Sequence, residues 1–171
     1  MKLIPFHDLS ALRAKYLEVI DRTPEATASA LWVYGEHPSD DLLQAYIDGE
    51  EMYALMDQGE ITGMMAVTLY QEEDYHRIDW TADLEDDDVA AVHILAVCPD
   101  YAGEGIGRKL VSEAVTLARR KGKKAVRLDT LAANLRARHL YESAGFTLCG
   151  KADRFLENHG WITFLYYEHV L

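Results

Sequence analysis

The sequence predicts a mixed α+β domain in which helices pack against a central sheet in layers. Helical periodicity dominates the first 49 residues, and after residue 51 apolar runs of strand length alternate with helical segments. The chain has 171 residues, of which 49% are hydrophobic and 27% are charged. This length and composition are typical of one soluble globular domain, here expected to span residues 1–171.

The first part of the chain is expected to be mainly helical. Thr23 and Pro24 suit the N-cap and the first position of a helix. Ser39, followed by two aspartates, suits the start of another helix. Together with the spacing of the apolar residues, these signals predict a strand at 1–4 and helices at 8–20, 23–34 and 39–49.

Strand patterns begin in the middle of the chain. Two apolar runs, 51–57 and 61–70, flank Gln58-Gly59-Glu60 and predict a hairpin. The polar residues 71–88 predict a loop, with a short strand expected around Ile78. The apolar run 89–97 predicts a buried strand, which Pro99 and Asp100 end.

The last third of the chain alternates between helix and strand. Apolar side chains share one face of the first helix, and Gly122 suits its end. The patterns predict, in order, a helix at 105–121, a strand at 124–129, a helix at 134–144 and strands at 146–149 and 161–170.

The charge distribution limits the classes of partner that the protein can bind. The formal net charge of −12 argues against binding to a nucleic-acid backbone, which needs a basic surface. Residues 72–88 carry nine acidic side chains, and residues 108–138 carry ten lysines and arginines. The acidic segment favours a cationic partner and the basic segment an anionic one. A solvated loop and a helix C-terminus rich in cations explain the same pattern without any ligand.

Other compartments and sites are not expected. No apolar run reaches the roughly 20 residues of a membrane-spanning helix. The N-terminus has no signal-peptide core, because Pro5, His7 and Asp8 interrupt it, so we expect a cytoplasmic protein with no membrane partner. Cys98 and Cys149 form no zinc-binding spacing and no two histidines form a helical metal pair, so no metal is expected.

The stretch 92–107 carries the most informative chemistry. A buried strand breaks at Pro99 and passes through Gly103, Gly105 and Gly107 into a helix. Backbone N–H groups and the positive end of the helix dipole make such a turn suited to phosphate groups. Tight packing of the turn is the alternative reason for the glycines.

Two nucleotide-binding motifs match this turn poorly. No Gly-Lys-Ser/Thr follows it, so it is not a P-loop. Its glycine spacing also departs from the dinucleotide-binding fingerprint. That fingerprint requires an acidic residue about 20 positions further on to bind the ribose, and no residue here is a clear match, although Asp129 lies near that position.

Residues 92–150 resemble the acyl-CoA-binding core of the GNAT superfamily of N-acetyltransferases. The strand 93–97 resembles the fourth strand of that family. The turn resembles its pyrophosphate signature, Gln/Arg-x-x-Gly-x-Gly/Ala, with glycines at Gly105 and Gly107 and with Ala102 in place of Gln or Arg.

A second element strengthens the resemblance. Asn134 is followed seven residues later by Tyr141 and then by Gly145-Phe146, which resembles a helix of the same family. The resemblance implies the GNAT fold, a central mixed and mostly antiparallel sheet with helices on both faces. It also implies an enzyme that moves the acetyl group of acetyl-CoA to a primary amine of a small molecule or peptide, by direct attack in a ternary complex.

The resemblance assigns most cofactor contacts to the backbone. The strand residues would pair with the pantetheine arm, an N–H group at or beside Leu95 would polarise the thioester carbonyl, and the turn would hold the pyrophosphate. Asn134 suits helix capping equally well. The implied cofactor-binding residues are Leu95, Ala96, Val97, Ala102, Gly103, Glu104, Gly105, Ile106, Gly107, Arg108, Asn134, Ala137 and Tyr141.

Two catalytic roles follow from the resemblance. Tyr141 would be the general acid that protonates the departing thiolate, and a core aromatic residue is the alternative interpretation. His93 is the candidate general base because its ordinary pKa suits neutral pH, and a structural histidine is the alternative. Glu72, Glu73 and Asp79, acting through water, are the other candidate bases.

The acceptor stays open among polyamines, amino sugars, amino acids and peptide N-termini, and the acidic segment favours a cationic amine. A non-catalytic acyl-CoA-binding sensor is the alternative to an enzyme, and a nucleotide-binding protein without acyl chemistry is a third hypothesis. By analogy with the family, a homodimer is expected, paired at the edge of strand 161–170. Aromatic candidates for the acceptor pocket, each equally suited to core packing, are Trp32, Tyr34, Tyr75, Trp80 and Trp161.

Overall fold

The computed structural model describes all 171 residues of the chain. The strands are β1 (Lys2–Pro5), β2 (Met52–Asp57), β3 (Glu60–Thr68), β4 (Val89–Val97), β5 (Ala125–Leu131), β6 (Thr147–Leu156) and β7 (Gly160–Val170). The α-helices are α1 (Leu9–Arg22), α2 (Pro24–Ser29), α3 (Asp40–Asp48), α4 (Ile106–Arg120) and α5 (Leu135–Ser143).

The strands form one seven-stranded sheet in the order β1-β2-β3-β4-β5-β7-β6. The β4–β5 pair is parallel, and the β1–β2, β2–β3, β5–β7 and β6–β7 pairs are antiparallel. The predicted fold class, an α+β fold with a mixed and mostly antiparallel sheet, is therefore confirmed. The expectation that strand 161–170 lies at a sheet edge is wrong, because β7 is flanked by β5 and β6.

The contacts of the chain group it into two compact units. The first unit consists of Met1–Val67 and His93–Glu113, and the second consists of Thr68–Val92 and Ala114–Leu171. Each unit is described separately below.

The core of the first unit lies between its helices and strands. Side chains of α1, α3, β2 and β3 are fully buried there, among them Leu12, Leu43, Met52 and Met64. Asp8 and Ser39 cap α1 and α3 by accepting hydrogen bonds from backbone N–H groups in the first turns. The predicted start of α3 is confirmed. Helix capping and core burial together fix these helices.

The second helix is shorter than predicted. It ends at Ser29 rather than near residue 34, and Leu31 has a positive φ of 55°. Trp32 instead donates its N–H to the carbonyl of Thr27, and its ring packs edge-on against Tyr16 at 5.7 Å. Packing of Trp32 against the core thus overrides the helical spacing of the sequence.

The hairpin in the first unit forms as predicted. Gln58 and Gly59 both have positive φ, at 48° and 91°, between β2 and β3. Two successive left-handed residues are typical of the type I′ turn, whose twist matches that of the strands.

The segment between β3 and β4 belongs to the second unit and is mainly irregular, as predicted. The short strand expected around Ile78 is wrong, because a 3-10 helix spans Glu73–Arg77 and another spans Asp86–Asp88. Ile78 is buried against Tyr75 and Tyr166 instead. An apolar side chain in this polar segment therefore anchors a turn rather than marking a strand.

The sixth strand is longer than the predicted range 146–149. It pairs with β7 from Thr147 to Leu156, with a register shift between Leu148 and Gly150. Its exposed residues alternate with half-buried ones, as expected for the edge strand that it is. Lys151 and Asp153 on this strand are exposed, and Arg154 is half-buried over the ring of Phe164.

No helix of the chain is both long and apolar enough to span a lipid bilayer.

A buried arginine ties the irregular segment to the sheet. Arg127 of β5 is 1% exposed and forms an ion pair with Glu168 of β7 at 2.8 Å. The same guanidinium donates to the side-chain oxygen of Gln71 and to the carbonyl of Ala82, and it lies 4.2 Å from the ring centre of Trp80. One side chain thus binds the segment at three points.

Replacing Arg127 should strongly destabilise the protein. Arg127→Met leaves the Glu168 carboxylate buried without its partner, so we expect a loss of about 3–5 kcal/mol in the free energy of unfolding. Urea denaturation measures it, with Arg120→Met on the exposed end of α4 as the control, expected within about 0.5 kcal/mol of the wild type. Equal stability of the two variants would show that the buried ion pair does not stabilise the folded protein.

Candidate functional site

The fourth strand has a kink at its centre. Ile94 has a φ of +44°, a left-handed conformation that is strained for a β-branched residue. The hydroxyl of Tyr16 in α1 donates to the carbonyl of Ile94 at 2.7 Å, and both residues are buried. Burial raises the pKa of Tyr16 well above its usual value, so this hydroxyl keeps its proton.

The kink follows the last paired residue of the parallel ladder. The registered pairs between β4 and β5 run from Val89↔Ala125 to Val92↔Leu128, while β4 continues to Val97. Leu95 and Val97 are half-buried and Ala96 is buried. The three strand residues assigned to cofactor binding thus lie in the part of β4 beyond this ladder.

The glycine turn has the geometry of an anion site. After a 3-10 helix at Pro99–Tyr101, Gly103 and Gly105 have φ of +87° and +77°, and α4 begins at Ile106. A Cβ on either glycine would meet no atom within 4 Å, so tight packing does not explain them. Their left-handed conformation does, because it turns the backbone without steric cost only at glycine.

The N-terminus of α4 is exposed behind that turn. Ala102, Glu104 and Arg108 are exposed, Gly107 is half-buried and Ile106 is buried. The first N–H groups of an α-helix have no partner within it and carry the positive end of its dipole. The turn and the first helical residues together therefore present several backbone donors to one side.

Close packing fixes the start of α4. A Cβ on Gly63 of β3 would lie 2.8 Å from a methyl of Leu110 and 2.9 Å from the carbonyl of Ala96. Only glycine allows the strand and the helix to approach this closely. Sequence analysis did not single out Gly63, and a glycine within an apolar strand pattern is the signal that points to such an approach.

His93 lies on β4 in the first unit, one residue before the kink. Its ring is half-buried and stacks on Tyr46 of α3, with ring centres 5.8 Å apart and planes inclined by 20°. Stacking fixes the plane of the imidazole. The structure thus places His93, the strand residues 95–97 and the turn 102–108 in the same unit.

The second unit carries the other predicted site residues. The side chain of Asn134 accepts a hydrogen bond from the N–H of Ala137 at 3.1 Å and caps α5. The capping interpretation of Asn134 is therefore confirmed, and any contact of its amide with a cofactor is additional. Tyr141 lies one turn beyond Ala137 on the same helix.

Tyr141 is a buried tyrosine, 7% exposed, packed against other aromatic rings. Its ring centre lies 5.9 Å from that of Tyr167 and 6.3 Å from that of Phe146. Burial, together with the charge of Asp129, raises the pKa of Tyr141 far above its usual value. The hydroxyl is therefore protonated throughout the neutral range and is a hydrogen-bond donor.

The acidic segment of the second unit is largely solvated. The three alternative bases, Glu72, Glu73 and Asp79, are exposed. Asp86 accepts from Gln71 and contacts His76 at 2.7 Å, and these two bonds lower its pKa. An open pocket of about 360 Å³ lies in this segment, bordered by His76, Asp79, Trp80, Asp83, Leu84 and Arg127.

The aromatic acceptor candidates divide between the units. Trp32 and Tyr34 pack at the core of the first unit, and Tyr75 is buried in the second. Trp80 is half-buried over Arg127. Trp161 is 73% exposed at the start of β7, paired edge-on with Phe155. For most of them, core packing is the interpretation that the structure favours.

A family model described as the acetyltransferase (GNAT) family matches residues 17–146 of the chain. The chain belongs to this family. Among curated relatives, an uncharacterized N-acetyltransferase of Methanocaldococcus jannaschii is 34% identical over 68 residues. This match covers 40% of the chain and 30% of that relative, so the chain spans less than a third of the length of the relative.

Solved GNAT structures share the fold over almost the whole chain. A GNAT-family acetyltransferase of Streptococcus agalactiae has a TM-score of 0.80 at 19% identity, covering 99% of this chain and 95% of that chain. A protein of Salmonella typhimurium, solved with its cofactor acetyl-CoA, has a TM-score of 0.69 at 21% identity and covers 100% of this chain and 94% of that chain. At such identities the likeness establishes the fold.

Removing the Tyr16 hydroxyl, which bonds to the kinked residue Ile94, should destabilise the protein. Tyr16→Phe leaves the buried carbonyl of Ile94 without its donor, so we expect the free energy of unfolding to fall by about 1–3 kcal/mol. Guanidinium denaturation measures the loss, and Tyr53→Phe on β2 serves as a buried control. If Tyr16→Phe were as stable as the wild type, the kink would not depend on this bond.

Proposed function

We propose that the chain transfers the acetyl group of acetyl-CoA to a primary amine by direct attack in a ternary complex. One observation carries the proposal. The turn 102–105 adopts a left-handed glycine geometry that leads into the N-terminus of α4, in a chain of the acetyltransferase (GNAT) family. This arrangement suits the pyrophosphate of coenzyme A.

The turn acts through its backbone. Ala102 stands where the family signature has Gln or Arg, and no side-chain donor is needed there, because N–H groups of the turn and of the first helical residues supply the hydrogen bonds. Gly103, Gly105 and Gly107 let the phosphates approach closely. The exposed Arg108 adds positive charge beside them.

The strand residues after the kink are proposed to bind the pantetheine arm. Leu95, Ala96 and Val97 lie beyond the last registered pair of the β4–β5 ladder, so their backbone groups suit pairing with an extended amide chain. A backbone N–H at or beside Leu95 would polarise the thioester carbonyl as negative charge develops on its oxygen.

Tyr141 is proposed as the general acid. The acceptor nitrogen attacks the thioester carbon, the carbon–sulfur bond breaks, and the departing thiolate takes the proton of the Tyr141 hydroxyl. Burial raises the pKa of Tyr141, which guarantees that the proton is present at neutral pH. The attacking nitrogen releases its remaining extra proton to solvent as the amide forms, and proton uptake from solvent restores the phenol.

His93 is proposed as the group that receives the proton lost by the acceptor ammonium. It is half-buried, its ring plane is fixed by stacking on Tyr46, and a neutral imidazole nitrogen accepts a proton. The exposed carboxylates of Glu72, Glu73 and Asp79 are the alternatives, each acting through water.

Thermal unfolding with acetyl-CoA tests the cofactor proposal. A ligand at 100 times its dissociation constant adds about 2.7 kcal/mol of stability, so the wild type should melt at a higher temperature. Gly105→Arg should abolish this shift because its side chain fills the phosphate turn. Gly59→Arg introduces the same charge at another left-handed glycine, in the hairpin turn, and should keep the shift.

ATP and NAD serve as ligand controls in this experiment. A shift with either nucleotide but none with acetyl-CoA would contradict the proposal and favour a nucleotide-binding protein. An acetyl-CoA shift without release of free CoA thiol in the presence of any amine would favour a non-catalytic sensor.

Replacing the general acid should separate chemistry from binding. Tyr141→Phe keeps the aromatic packing but removes the proton, so we expect kcat to fall by about 10²–10⁴-fold with an unchanged acetyl-CoA thermal shift. Because the pKa of Tyr141 is raised, its deprotonation should not limit the wild-type rate below about pH 10. Tyr53→Phe is the matched control, and an unchanged kcat in Tyr141→Phe would remove Tyr141 from the mechanism.

A further inference from the structure

The second unit contains a carboxylate that the proposed mechanism does not use. Asp129 lies on β5, directly after the last residue paired with β4, and its side chain is half-buried. The hydroxyl of Tyr75, itself 1% exposed, donates to one Asp129 oxygen at 2.8 Å. This donor orients the carboxylate and leaves its negative charge in place.

The strand register shows which side of the sheet Asp129 occupies. Asp129 is paired with Tyr166 and Arg127 with Glu168, so these four side chains share the face that the segment around Tyr75 and Trp80 covers. The opposite face carries Tyr167, which packs against Tyr141. Burial raises the pKa of Tyr141, and the charge of Asp129 contributes to this rise.

A second polar group on this face is the hydroxyl of Tyr166, the residue that pairs with Asp129 in the strand register. Tyr166 is 0% exposed, and its buried hydroxyl has no hydrogen-bond partner. Its ring meets that of Tyr75 edge-on at 5.5 Å. A buried hydroxyl without a partner is costly, so this hydroxyl points to a ligand that supplies a donor.

The cations near Asp129 are engaged elsewhere. Arg127 is committed to Glu168, Gln71 and the carbonyl of Ala82. Arg154 binds the carboxylate of Asp74 at 3.1 Å and lies over the ring of Phe164. The environment of Asp129 is therefore suited to a cation brought in from solution.

We propose that Asp129, with the hydroxyl of Tyr166, binds the ammonium group of the acceptor, and that it selects amines with no carboxylate on the carbon that carries the nitrogen. This inference rests on the proposed acetyl transfer. An ammonium donates to both the carboxylate and the buried hydroxyl. A free α-amino acid would bring its own carboxylate beside Asp129 and would be repelled.

This selection narrows the acceptor class. Polyamines, amino sugars, decarboxylated amines and peptide N-termini satisfy it, whereas the α-nitrogen of a free amino acid does not. The nine acidic side chains of residues 72–88 extend the same preference, because they concentrate cations around this segment.

Matched pairs of amines test the selection in the wild-type protein. Agmatine and arginine, tyramine and tyrosine, and histamine and histidine differ only by the α-carboxylate. With acetyl-CoA saturating and release of free CoA thiol as the signal, we expect kcat/KM to be at least about 100-fold higher for the amine in each pair that reacts. Equal values within the reacting pairs would overturn the inference and leave the proposed acetyl transfer intact.

Asp129→Asn tests the residue itself. The amide oxygen of Asn keeps the bond from Tyr75 but removes the charge, so we expect the KM of the preferred amine to rise at least about 10-fold while the acetyl-CoA thermal shift is retained. Asp153→Asn is the matched control, because Asp153 also accepts a hydroxyl, from Thr163 on the neighbouring strand at 2.6 Å. This control should leave the KM of the amine unchanged.

Tyr166→Phe provides a second test that does not threaten the fold. It removes only a hydroxyl without a partner, so the melting temperature should be retained while the KM of the amine rises. An unchanged KM in both Asp129→Asn and Tyr166→Phe would overturn the inference. Absence of CoA release with every amine, in a protein that acetyl-CoA stabilises, would overturn the proposed acetyl transfer and the inference together.

Discussion

The hydrogen bond from Tyr16 to the carbonyl of Ile94 is the constraint on which the candidate site depends. It holds a β-branched residue in a left-handed conformation within a strand, where such a residue costs roughly 1–3 kcal/mol. The bond is buried, so no water competes for the carbonyl. A strand that follows the regular pattern would continue its ladder, whereas this one reaches residues 95–97 beyond its registered pairs with β5.

Rigid packing supports the other part of the first unit's site. Gly63 lets β3 approach α4 so closely that Leu110 and Ala96 leave no room for a side chain. The helix start is therefore fixed by the core rather than by the loop that precedes it. The position of the helix start also sets the position of the glycine turn. Gly103 and Gly105, the two left-handed residues of the turn, only redirect the backbone. A phosphate group that binds to a preformed turn does not have to order a loop first.

Most helices and strands could be predicted from the sequence, and the wrong predictions have identifiable physical reasons. Periodicity located α1 and α4, and local capping signals at Ser39 and Asn134 also helped to locate α3 and α5. The early end of α2 could not be predicted, since it depends on Trp32 reaching Tyr16 across the fold. The full length of β6 was missed because pairing with β7, not composition, defines that edge strand.

The candidate site divides in the same way. The turn and the Asn134–Tyr141 spacing are local signals, so the sequence located them. The kink at Ile94 was not predictable, because nothing in the run 89–97 distinguishes Ile94 from its neighbours. The surroundings of Asp129 were also missed, since Tyr75 and Tyr166 come from distant parts of the chain. Arginine within the apolar strand 125–131 was the available hint of a buried ionic network.

The anchor at Arg127 has a consequence for how such a protein diversifies. The Arg127 guanidinium contacts the irregular segment at Gln71, Trp80 and Ala82, and Tyr75 and Ile78 also pack the segment against the sheet. The fold therefore constrains these buried positions more strongly than exposed ones such as Asp79. Mutation can then alter the chemistry offered to a second substrate while the sheet keeps its register.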